Sequence, residues 1–302
     1  MAVSTVITPA YRLEALAFDL YQGFFGAFPV ETASRMGAGL LRAIGPLLGA
    51  PQKTAMRNLR MCFPDESELW RREIARASWA EVGRTAAELS HLHELAAPSE
   101  RLVIEGMEHF DAVRGTGAVL ISGHFANWEM LCVGIVQSRL DCVFTYRPAN
   151  NPLIDQRIVD TRTRYGIKLQ AAKGVQGGVG LMRALKRGRS VALMNDQKYN
   201  EGVASPLFGY ACMTADGPTR LALAHRVPLI PVGLRREGGA RFRMTIHPPL
   251  PLDYDAAPET EIPASVGRIN AFLEARIREA PEQWFWVHQR WPKEAWAKAG
   301  VL

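Results

Sequence analysis

The chain has 302 residues, of which 48% are hydrophobic and 22% charged, as is typical of a folded globular protein. Its mean hydropathy of −0.07 excludes a membrane protein built from many spanning helices. The net charge of +6 favours anionic partners, but no zinc-finger pattern, RNA-recognition signature or lysine-dense tail indicates nucleic acid. The four cysteines are scattered without metal-ligand spacing, so we expect reduced thiols and no metal site.

Residues 1–100 are predicted to be mainly helical. Charged residues interrupt the aromatic-rich segment at 18–48, so no stretch reaches the roughly 18–20 apolar residues of a spanning helix. Within residues 1–60, six basic residues accompany three acidic ones. Apolar faces with basic flanks are typical of helices lying in a bilayer interface, so we expect a membrane-associating region. The alternative is a helical hairpin packed on the protein's own core. A long amphipathic helix is predicted at 67–95.

Residues 101–302 alternate between strand and helix patterns. Apolar, β-branched runs predict strands at 118–122, 142–146, 191–195, 227–232 and 241–247. Helical patterns lie at 128–137, 152–165, 175–186, 214–225 and 265–279. This alternation predicts an α/β fold, with a mainly parallel sheet flanked by helices and packed as one unit with the N-terminal helical region. In such sheets, functional groups collect at the carboxyl ends of the strands.

The first of these strand ends carries His124 and, five positions later, Glu129. An imidazole oriented by a carboxylate can remove the proton of a hydroxyl. In a continuous helix, five residues would turn the two side chains about 140° apart, so the pair requires a bend between strand and helix. Asn127 is predicted to cap the helix, whose first amide groups are expected to stabilise an oxyanion. The alternative is a buried histidine with a structural role only.

Polar side chains also follow the next two strands. Tyr146 and Arg147 close the second strand, and Asp196 closes the third. Arg162 and Arg164 lie in the helix after the second strand, where guanidinium groups can hold phosphates or an oxyanion. Taken singly, each could be a surface ion pair. We expect substrate to be bound by Asn127, Tyr146, Arg147, Arg164 and Asp196.

A basic cluster, defined by Arg183, Lys186, Arg187 and Arg189, is a further candidate surface. It is expected to dock an acidic carrier or anionic headgroups. The alternative is an ordinary solvated helix face.

The order of several motifs resembles the lipid A late acyltransferases, the lauroyl and myristoyl transferases of lipopolysaccharide biosynthesis. The motifs are Arg-Asn-Leu-Arg-Met-Cys-Phe-Pro at 57–64, Gly-His-Phe-Ala-Asn-Trp-Glu at 123–129, Tyr-Arg-Pro-Ala-Asn-Asn-Pro at 146–152, Arg-Thr-Arg at 162–164, Asn-Asp at 195–196, Pro-Leu-Phe-Gly at 206–209, and Pro-Glu-Gln-Trp-Phe-Trp-Val-His-Gln-Arg at 281–290. Together they span nearly the whole chain.

The resemblance implies a glycerolphosphate-acyltransferase-like fold and an enzyme on the cytoplasmic face of the inner membrane, held peripherally, monotopically or by a single N-terminal anchor. It implies acyl-carrier protein as the partner that brings the acyl chain as a thioester co-substrate, no cofactor, and a lipid A precursor as the anionic glycolipid acceptor. The catalytic residues would be His124 as general base, Glu129 holding its imidazole, and Arg162.

One departure from the family pattern is Lys198, which stands where some relatives carry a second acid, so the role of such an acid is in doubt. The same chemistry would serve another membrane lipid acceptor, such as a lysophospholipid, an ornithine lipid or another glycolipid. A non-catalytic, membrane-peripheral lipid-binding protein is the alternative from a different class.

Overall fold

The computed structural model describes residues 7–171 and 174–302, so residues 1–6 of the predicted membrane-associating region lie outside the described residues. Within the described residues, five α-helices precede the first strand: α1 (Pro9–Gly26), α2 (Val30–Ile44), α3 (Gly49–Cys62), α4 (Glu68–Glu88) and α5 (Leu92–Leu95). The long predicted helix at 67–95 is therefore divided, because a short 3₁₀ turn at Leu89–His91 follows α4.

The rest of the described chain alternates strands with helices. The strands are β1 (Leu102–Glu105), β2 (Val119–Ser122), β3 (Cys142–Tyr146), β4 (Lys168–Ala171), β5 (Ser190–Met194), β6 (Val203–Leu207), β7 (Tyr210–Thr214), β8 (Leu229–Gly238) and β9 (Arg241–Ile246). The helices are α6 (Met107–Asp111), α7 (Glu129–Gln137), α8 (Pro152–Arg164), α9 (Gly174–Lys186), α10 (Gly217–His225), α11 (Pro258–Glu279) and α12 (Lys293–Lys298). The expected mixed α/β class is confirmed.

Seven strands form one sheet in the order β1-β9-β8-β2-β5-β3-β4. All neighbouring pairs are parallel except β8 with β9, which run antiparallel. The central strand β2 is buried along its whole length, as expected for a parallel strand covered on both faces. The carboxyl ends of β2, β5 and β3 therefore meet at one edge of the sheet, as the strand pattern predicts.

A separate antiparallel hairpin, β6–β7, was not predicted from the sequence. Its turn is formed by Phe208 and Gly209, which both have positive φ, as a two-residue hairpin turn requires. The predicted helix at 214–225 was too long, because Thr214 still belongs to β7 and the helix begins at Gly217. The short strands β1 and β4 were also missed.

Helices α2 and α4 cross in backbone contact. A Cβ atom on Gly37 would lie 2.3 Å from the carbonyl oxygen of Gly83, so a larger residue there would force the helices apart. This close crossing brings Ser34 of α2 to Glu88 at the end of α4, and the hydroxyl donates to the carboxylate at 2.7 Å.

A buried ion pair connects these helices to the sheet. Glu88 is fully buried, and Arg236 of β8 donates to its two carboxylate oxygens at 2.7 and 3.0 Å. The remaining Nε of Arg236 donates to Glu81 at 2.7 Å. Because both charges are hydrogen-bonded on several sides, much of their desolvation cost is offset.

Helix α1 carries several exposed apolar side chains. Its outward face carries Leu13, Leu16, Leu20 and Phe24, which are 68%, 54%, 66% and 53% exposed and are spaced at three and four residues. Beside this row, α1 contacts α8, where Asp19 accepts two hydrogen bonds from Arg157 at 2.6 Å. In the described ranges, no helix combines the length and the apolar run that crossing a bilayer requires.

Breaking the Glu88–Arg236 pair should destabilise the whole fold. Glu88→Gln leaves a buried guanidinium without its main counter-charge, and we expect a loss of about 3 kcal/mol or more in the free energy of unfolding. Glu73→Gln is the matched control, because Glu73 pairs with Arg42 in an exposed ion pair that is expected to contribute about 0–1 kcal/mol. Urea unfolding followed by tryptophan fluorescence measures both variants, and equal losses would contradict the prediction.

Candidate active site

The register of the parallel strands places His124 beside Asp196. Ser122 of β2 pairs with Met194 of β5, and each functional residue lies two positions beyond its member of that pair. Asn195 N donates to Ser122 O at 2.8 Å, so the two chains remain paired past the end of the strands. The pairing of β2 with β5 therefore determines which side chain meets the imidazole.

Asp196 is buried and receives three hydrogen bonds. Its Oδ1 lies 2.8 Å from His124 Nδ1, and its Oδ2 accepts from the His124 backbone N–H and from Trp284 Nε1, both at 2.9 Å. Burial alone would raise the pKa of Asp196, but the nearby His124 and these donors lower it to about 2. An ionised carboxylate only accepts hydrogen bonds, so Nδ1 of His124 carries the proton and Nε2 is left to act as a base.

The imidazole of His124 is one-fifth exposed. Burial favours the neutral ring, but Asp196 and, more weakly, Glu129 outweigh this effect and raise the pKa of His124 above its usual value. The neutral form that can accept a proton therefore becomes dominant only at a correspondingly higher pH.

Glu129 does not hold the imidazole, and this part of the sequence prediction was wrong. Its two carboxylate oxygens instead accept hydrogen bonds from Nε and Nη2 of Arg162 at 2.9 and 2.5 Å. Glu129 lies in the first turn of α7, while Arg162 lies in the last turn of α8, so their ion pair joins two helices beside the cleft. His124 and Glu129 both line the cleft, but His124 pairs with Asp196 and Glu129 pairs with Arg162.

The loop between them is held under strain. Ala126 adopts a left-handed conformation with φ of 45°, which costs an alanine on the order of 1–3 kcal/mol. Its N–H donates to Gln283 O at 2.7 Å, and its carbonyl accepts from Thr85 at 3.1 Å. The backbone is thus anchored on both sides of the strained residue.

Asn127 was predicted to bind substrate, but the structure does not place it in the cleft. It is buried, its amide nitrogen donates to Glu88 at 2.8 Å, and its side-chain oxygen accepts from the Glu129 backbone N–H at 3.1 Å. The amides of Met130 and Leu131 donate to Asn127 O and Trp128 O within the first turn, so the N–H groups of Glu129, Met130 and Leu131 are not free to stabilise an oxyanion. Asn127 instead connects the loop to the buried Glu88.

His124 opens into a cleft of about 420 Å³. The predicted residues Glu129, Tyr146, Arg147 and Arg162 also line it, together with Trp128, Cys132, Phe144, Thr145, Met194 and Gln197. The structure therefore brings together most of the predicted site residues. Asp196 was also predicted to bind substrate. It is only 2% exposed and contacts His124, so it supports the base and does not contact substrate.

Arg164 lies outside the cleft, contrary to the prediction. It is exposed and lines a separate groove between α1 and α8. A helical turn contains 3.6 residues, so two positions along α8 turn Arg164 to a face different from that of Arg162.

An apolar cavity adjoins the cleft between α7 and the sheet. It shares Cys132, Phe144, Thr145 and Met194 with the cleft, and its other walls are mostly aliphatic side chains of β2, β5 and α7. Burial, together with Glu129, raises the pKa of the Cys132 thiol to about 12. The thiol is therefore protonated at neutral pH and is a poor nucleophile.

The basic cluster of 183–189 does not face the cleft. Arg183 and Lys186 lie in the last turn of α9, and Arg187 and Arg189 lie between α9 and β5. The cluster is therefore at the amino edge of the sheet, whereas the cleft lies at the carboxyl edge. The expectation that this cluster docks a carrier in front of the site is therefore not supported by its position. No group of three or more His, Cys, Asp and Glu side chains suited to a metal ion occurs in the part of the chain that the structure describes.

Residues near the carboxyl terminus contribute to the site without having been predicted there. Trp284 donates to Asp196, and the ring of Phe285 lies 6.4 Å from that of His124. Both belong to the 281–290 motif, which the sequence singles out without assigning it a role. Nearly 90 residues separate Trp284 from Asp196, so the contact has no local sequence signal.

Comparisons with known proteins identify the family to which the chain is similar. A family model described as bacterial lipid A biosynthesis acyltransferase matches residues 21–293. The chain is similar to the lipid A biosynthesis lauroyltransferase of Escherichia coli, with 28% identity over 87% of this chain and 86% of that protein. It is 25% identical to the lipid A biosynthesis palmitoleoyltransferase of the same species over 81% of this chain and 80% of that one. It is also 30% identical to a phosphatidylinositol mannoside acyltransferase of Mycobacterium tuberculosis, over 53% of this chain and 51% of that protein.

Replacing Asp196 should shift the titration of His124. In Asp196→Asn the carboxylate charge is lost while the imidazole stays largely buried, so we expect the pKa of His124 to fall by about 1–3 pH units. The Cε1–H resonance of His124, assigned by its absence in His124→Ala, reports this pKa in an NMR titration. An unchanged or raised midpoint in a folded Asp196→Asn protein would show that Asp196 does not control the imidazole.

Proposed function

The chain belongs to the family of bacterial lipid A biosynthesis acyltransferases, and on that premise we propose that it transfers a fatty acyl chain from an acyl-carrier-protein thioester to a hydroxyl of a lipid A precursor. The observation that carries the proposal is the orientation of His124. Its Nδ1 is fixed by the buried Asp196, which leaves Nε2 as the ring nitrogen available to a substrate in the cleft that His124 lines.

The reaction needs a base but no covalent acyl-enzyme. Nε2 of His124 takes the proton of the acceptor hydroxyl as its oxygen attacks the thioester carbonyl. The tetrahedral intermediate then collapses, the carbon–sulfur bond breaks, and the imidazolium returns the proton to the leaving thiolate. Asp196 stabilises the imidazolium formed between these steps. The protonated Cys132 supports direct transfer, since it offers no thiolate in the cleft.

Arg162 is the proposed partner of the developing oxyanion. Its Nε and Nη2 are held by Glu129, and among the described residues none accepts from Nη1. Glu129 thus acts as the residue that positions Arg162, in place of the dyad role predicted for it. A fixed donor to an oxyanion is typically worth about 10²–10³ in rate.

The adjoining apolar cavity, which measures about 40 Å³ in this structure, is proposed as the entrance to the acyl-chain site, and α7 would have to shift to admit a whole chain. The cavity opens at Cys132, Phe144 and Met194, beside the cleft in which the thioester carbonyl would lie. Burial of methylene groups there would be favourable by about 0.8 kcal/mol each. The thioester would then approach His124 with its carrier outside the cleft.

Two exposed cations lie where an anionic carrier or headgroup would approach. Arg147 lines the cleft, and Lys198 follows the cleft-lining Gln197. Neither side chain has a carboxylate partner within the described residues. We assign to these two residues the anion-binding role that was first expected of the basic cluster at 183–189.

Membrane association is proposed to occur through α1. The row formed by Leu13, Leu16, Leu20 and Phe24 is exposed, and α1 is held to α8 beside this row through Asp19. Such a face fits the interfacial region of a bilayer. We propose peripheral attachment at the cytoplasmic face of the inner membrane, with the cleft close to its lipid acceptor.

A second candidate acceptor is a different glycolipid. The similarity to a phosphatidylinositol mannoside acyltransferase favours this alternative, because the same base could deprotonate a sugar hydroxyl. The two acceptors differ in the groups that the cleft must recognise rather than in the base.

Loss of the base or of the oxyanion donor should abolish most of the transfer. We expect His124→Ala to lower kcat by about 10²–10⁴ and Arg162→Ala by about 10²–10³. Arg164→Ala is the matched control on the same helix and should retain wild-type kcat.

The pH profile of kcat/KM gives a further prediction. Its acid limb should have a midpoint above the usual histidine pKa of about 6.5, because the base must be neutral.

The assay follows the transfer of a labelled acyl chain from acyl-carrier protein to a lipid A precursor. A phosphatidylinositol mannoside and a lysophospholipid are offered in parallel, with mass spectrometry of each product. Full activity in His124→Ala would exclude the general-base mechanism. Transfer to one of the other acceptors alone would replace the lipid A proposal with that acceptor.

Removing the outward apolar row should weaken membrane binding. We expect Leu16→Glu combined with Leu20→Glu to reduce partitioning onto phosphatidylethanolamine–phosphatidylglycerol vesicles at least about tenfold, given that each buried leucine contributes about 1.5–3 kcal/mol. Leu69→Glu is the control, because Leu69 is 79% exposed on α4 and lies outside this row. Flotation at low and high salt provides the measurement. Equal partitioning of the double variant and the control would refute α1 as the docking surface.

A further inference from the structure

The segment 281–290 lies against the strained loop that carries His124. Gln283 O accepts the N–H of Ala126 at 2.7 Å, and Trp284 forms an isolated antiparallel bridge with Phe125. The segment is held in turn by α4, since Ser78 donates to Trp284 O at 2.8 Å. Its position relative to the catalytic loop is therefore fixed through the backbone on both sides.

The Trp284 side chain reaches the buried acid beneath the base. Trp284 is 2% exposed, and its indole Nε1 donates to Asp196 Oδ2 at 2.9 Å. The other two hydrogen bonds to this carboxylate come from His124 itself. Trp284 is thus the one donor to Asp196, among the described residues, that does not belong to the residue being positioned.

Packing alone does not account for this contact. Trp286 and Trp291 are equally buried and lie 4.6 and 6.1 Å from the Trp284 ring, so the three indoles form one cluster. Their N–H groups donate to backbone carbonyls, Trp286 to Pro281 and Trp291 to Leu207. Of the three, Trp284 alone donates to a carboxylate.

We propose that Trp284 is a positioning residue for acyl transfer, a proposal that rests on the function proposed above. Its indole N–H fixes the Asp196 carboxylate in the orientation that holds His124, and the 281–290 segment holds the indole beside Asp196. The hydrogen bond acts through Asp196, since Trp284 does not line the cleft. This assigns a role in the site to the 281–290 segment.

Loss of the indole N–H has two expected consequences. The carboxylate keeps only its two hydrogen bonds from His124, so its orientation is less restrained, the imidazole is held less firmly and kcat falls. The carboxylate charge is also less dispersed, so it favours the imidazolium more strongly and the pKa of His124 rises. The substrate contacts in the cleft are unchanged, so KM should stay near its wild-type value.

The test compares Trp284→Phe with Trp291→Phe, which removes an equally buried indole from the same cluster. For Trp284→Phe we expect kcat to fall about tenfold, as for the loss of a charge-assisted hydrogen bond, with little change in KM. The acid limb of the pH profile and the NMR titration of His124 should both move about 0.5 pH unit upward. Trp291→Phe should move neither midpoint.

A double-mutant cycle separates positioning from packing. In an Asp196→Asn background, Trp284→Phe should cause little further loss of kcat, because the carboxylate it acts through is gone. Multiplicative losses, or an unshifted His124 midpoint in folded Trp284→Phe, would overturn the proposal. If Trp284→Phe does not fold, 3-benzothienylalanine at position 284 keeps the bicyclic shape without the N–H, and the same outcomes apply.

The NMR titration needs no substrate, so it distinguishes this proposal from the proposed function. If Trp284→Phe shifts the His124 midpoint but the wild-type protein transfers no acyl chain, the proposed function is rejected and the role of Trp284 in orienting Asp196 is kept. If the wild-type protein transfers the acyl chain, but Trp284→Phe and Trp291→Phe have the same kcat and the same His124 midpoint, the proposed function is kept and the role of Trp284 is rejected.

Discussion

The candidate site depends on a single buried carboxylate. A charge taken out of water is costly unless hydrogen bonds replace its hydration, and Asp196 obtains them from the His124 backbone, the His124 ring and the Trp284 indole. These donors come from the end of β2 and from the carboxyl-terminal segment, while Asp196 itself follows β5. The base is therefore oriented only when these three distant parts of the chain have met, so catalytic geometry and global folding are coupled.

Two other buried acids complete the support around the base. Glu88 ties the loop to the helical region through Asn127, and Glu129 holds Arg162. Together they stabilise a loop that contains the strained Ala126, as is common where a side chain must be aimed at a substrate. By contrast, α8 has no fully buried side chain and is held largely by polar contacts, so the cleft has a rigid floor and a wall of lower local stability.

Much of the fold follows from local patterns. The strands β2, β3, β5, β8 and β9 were predicted because their apolar, β-branched runs are long enough to stand out between helical patterns. Strands β1 and β4 have four residues each and carry little periodic signal. The β6–β7 hairpin was missed because its turn places Phe208 at a positive φ, where Asn, Asp or Gly is usual, so the sequence lacks the typical signal of a two-residue turn.

The sequence by itself determined the α/β class, the edge of the sheet at which the site lies, and most residues that surround the cleft. It did so because parallel strands place their carboxyl ends together, whatever their order. Only the tertiary structure decided the pairs: His124 with Asp196 rather than Glu129, Glu129 with Arg162, and Trp284 beneath them. These pairings depend on the register between β2 and β5 and on a carboxyl-terminal segment that returns to the site, and neither is encoded in the spacing of residues along one stretch of chain.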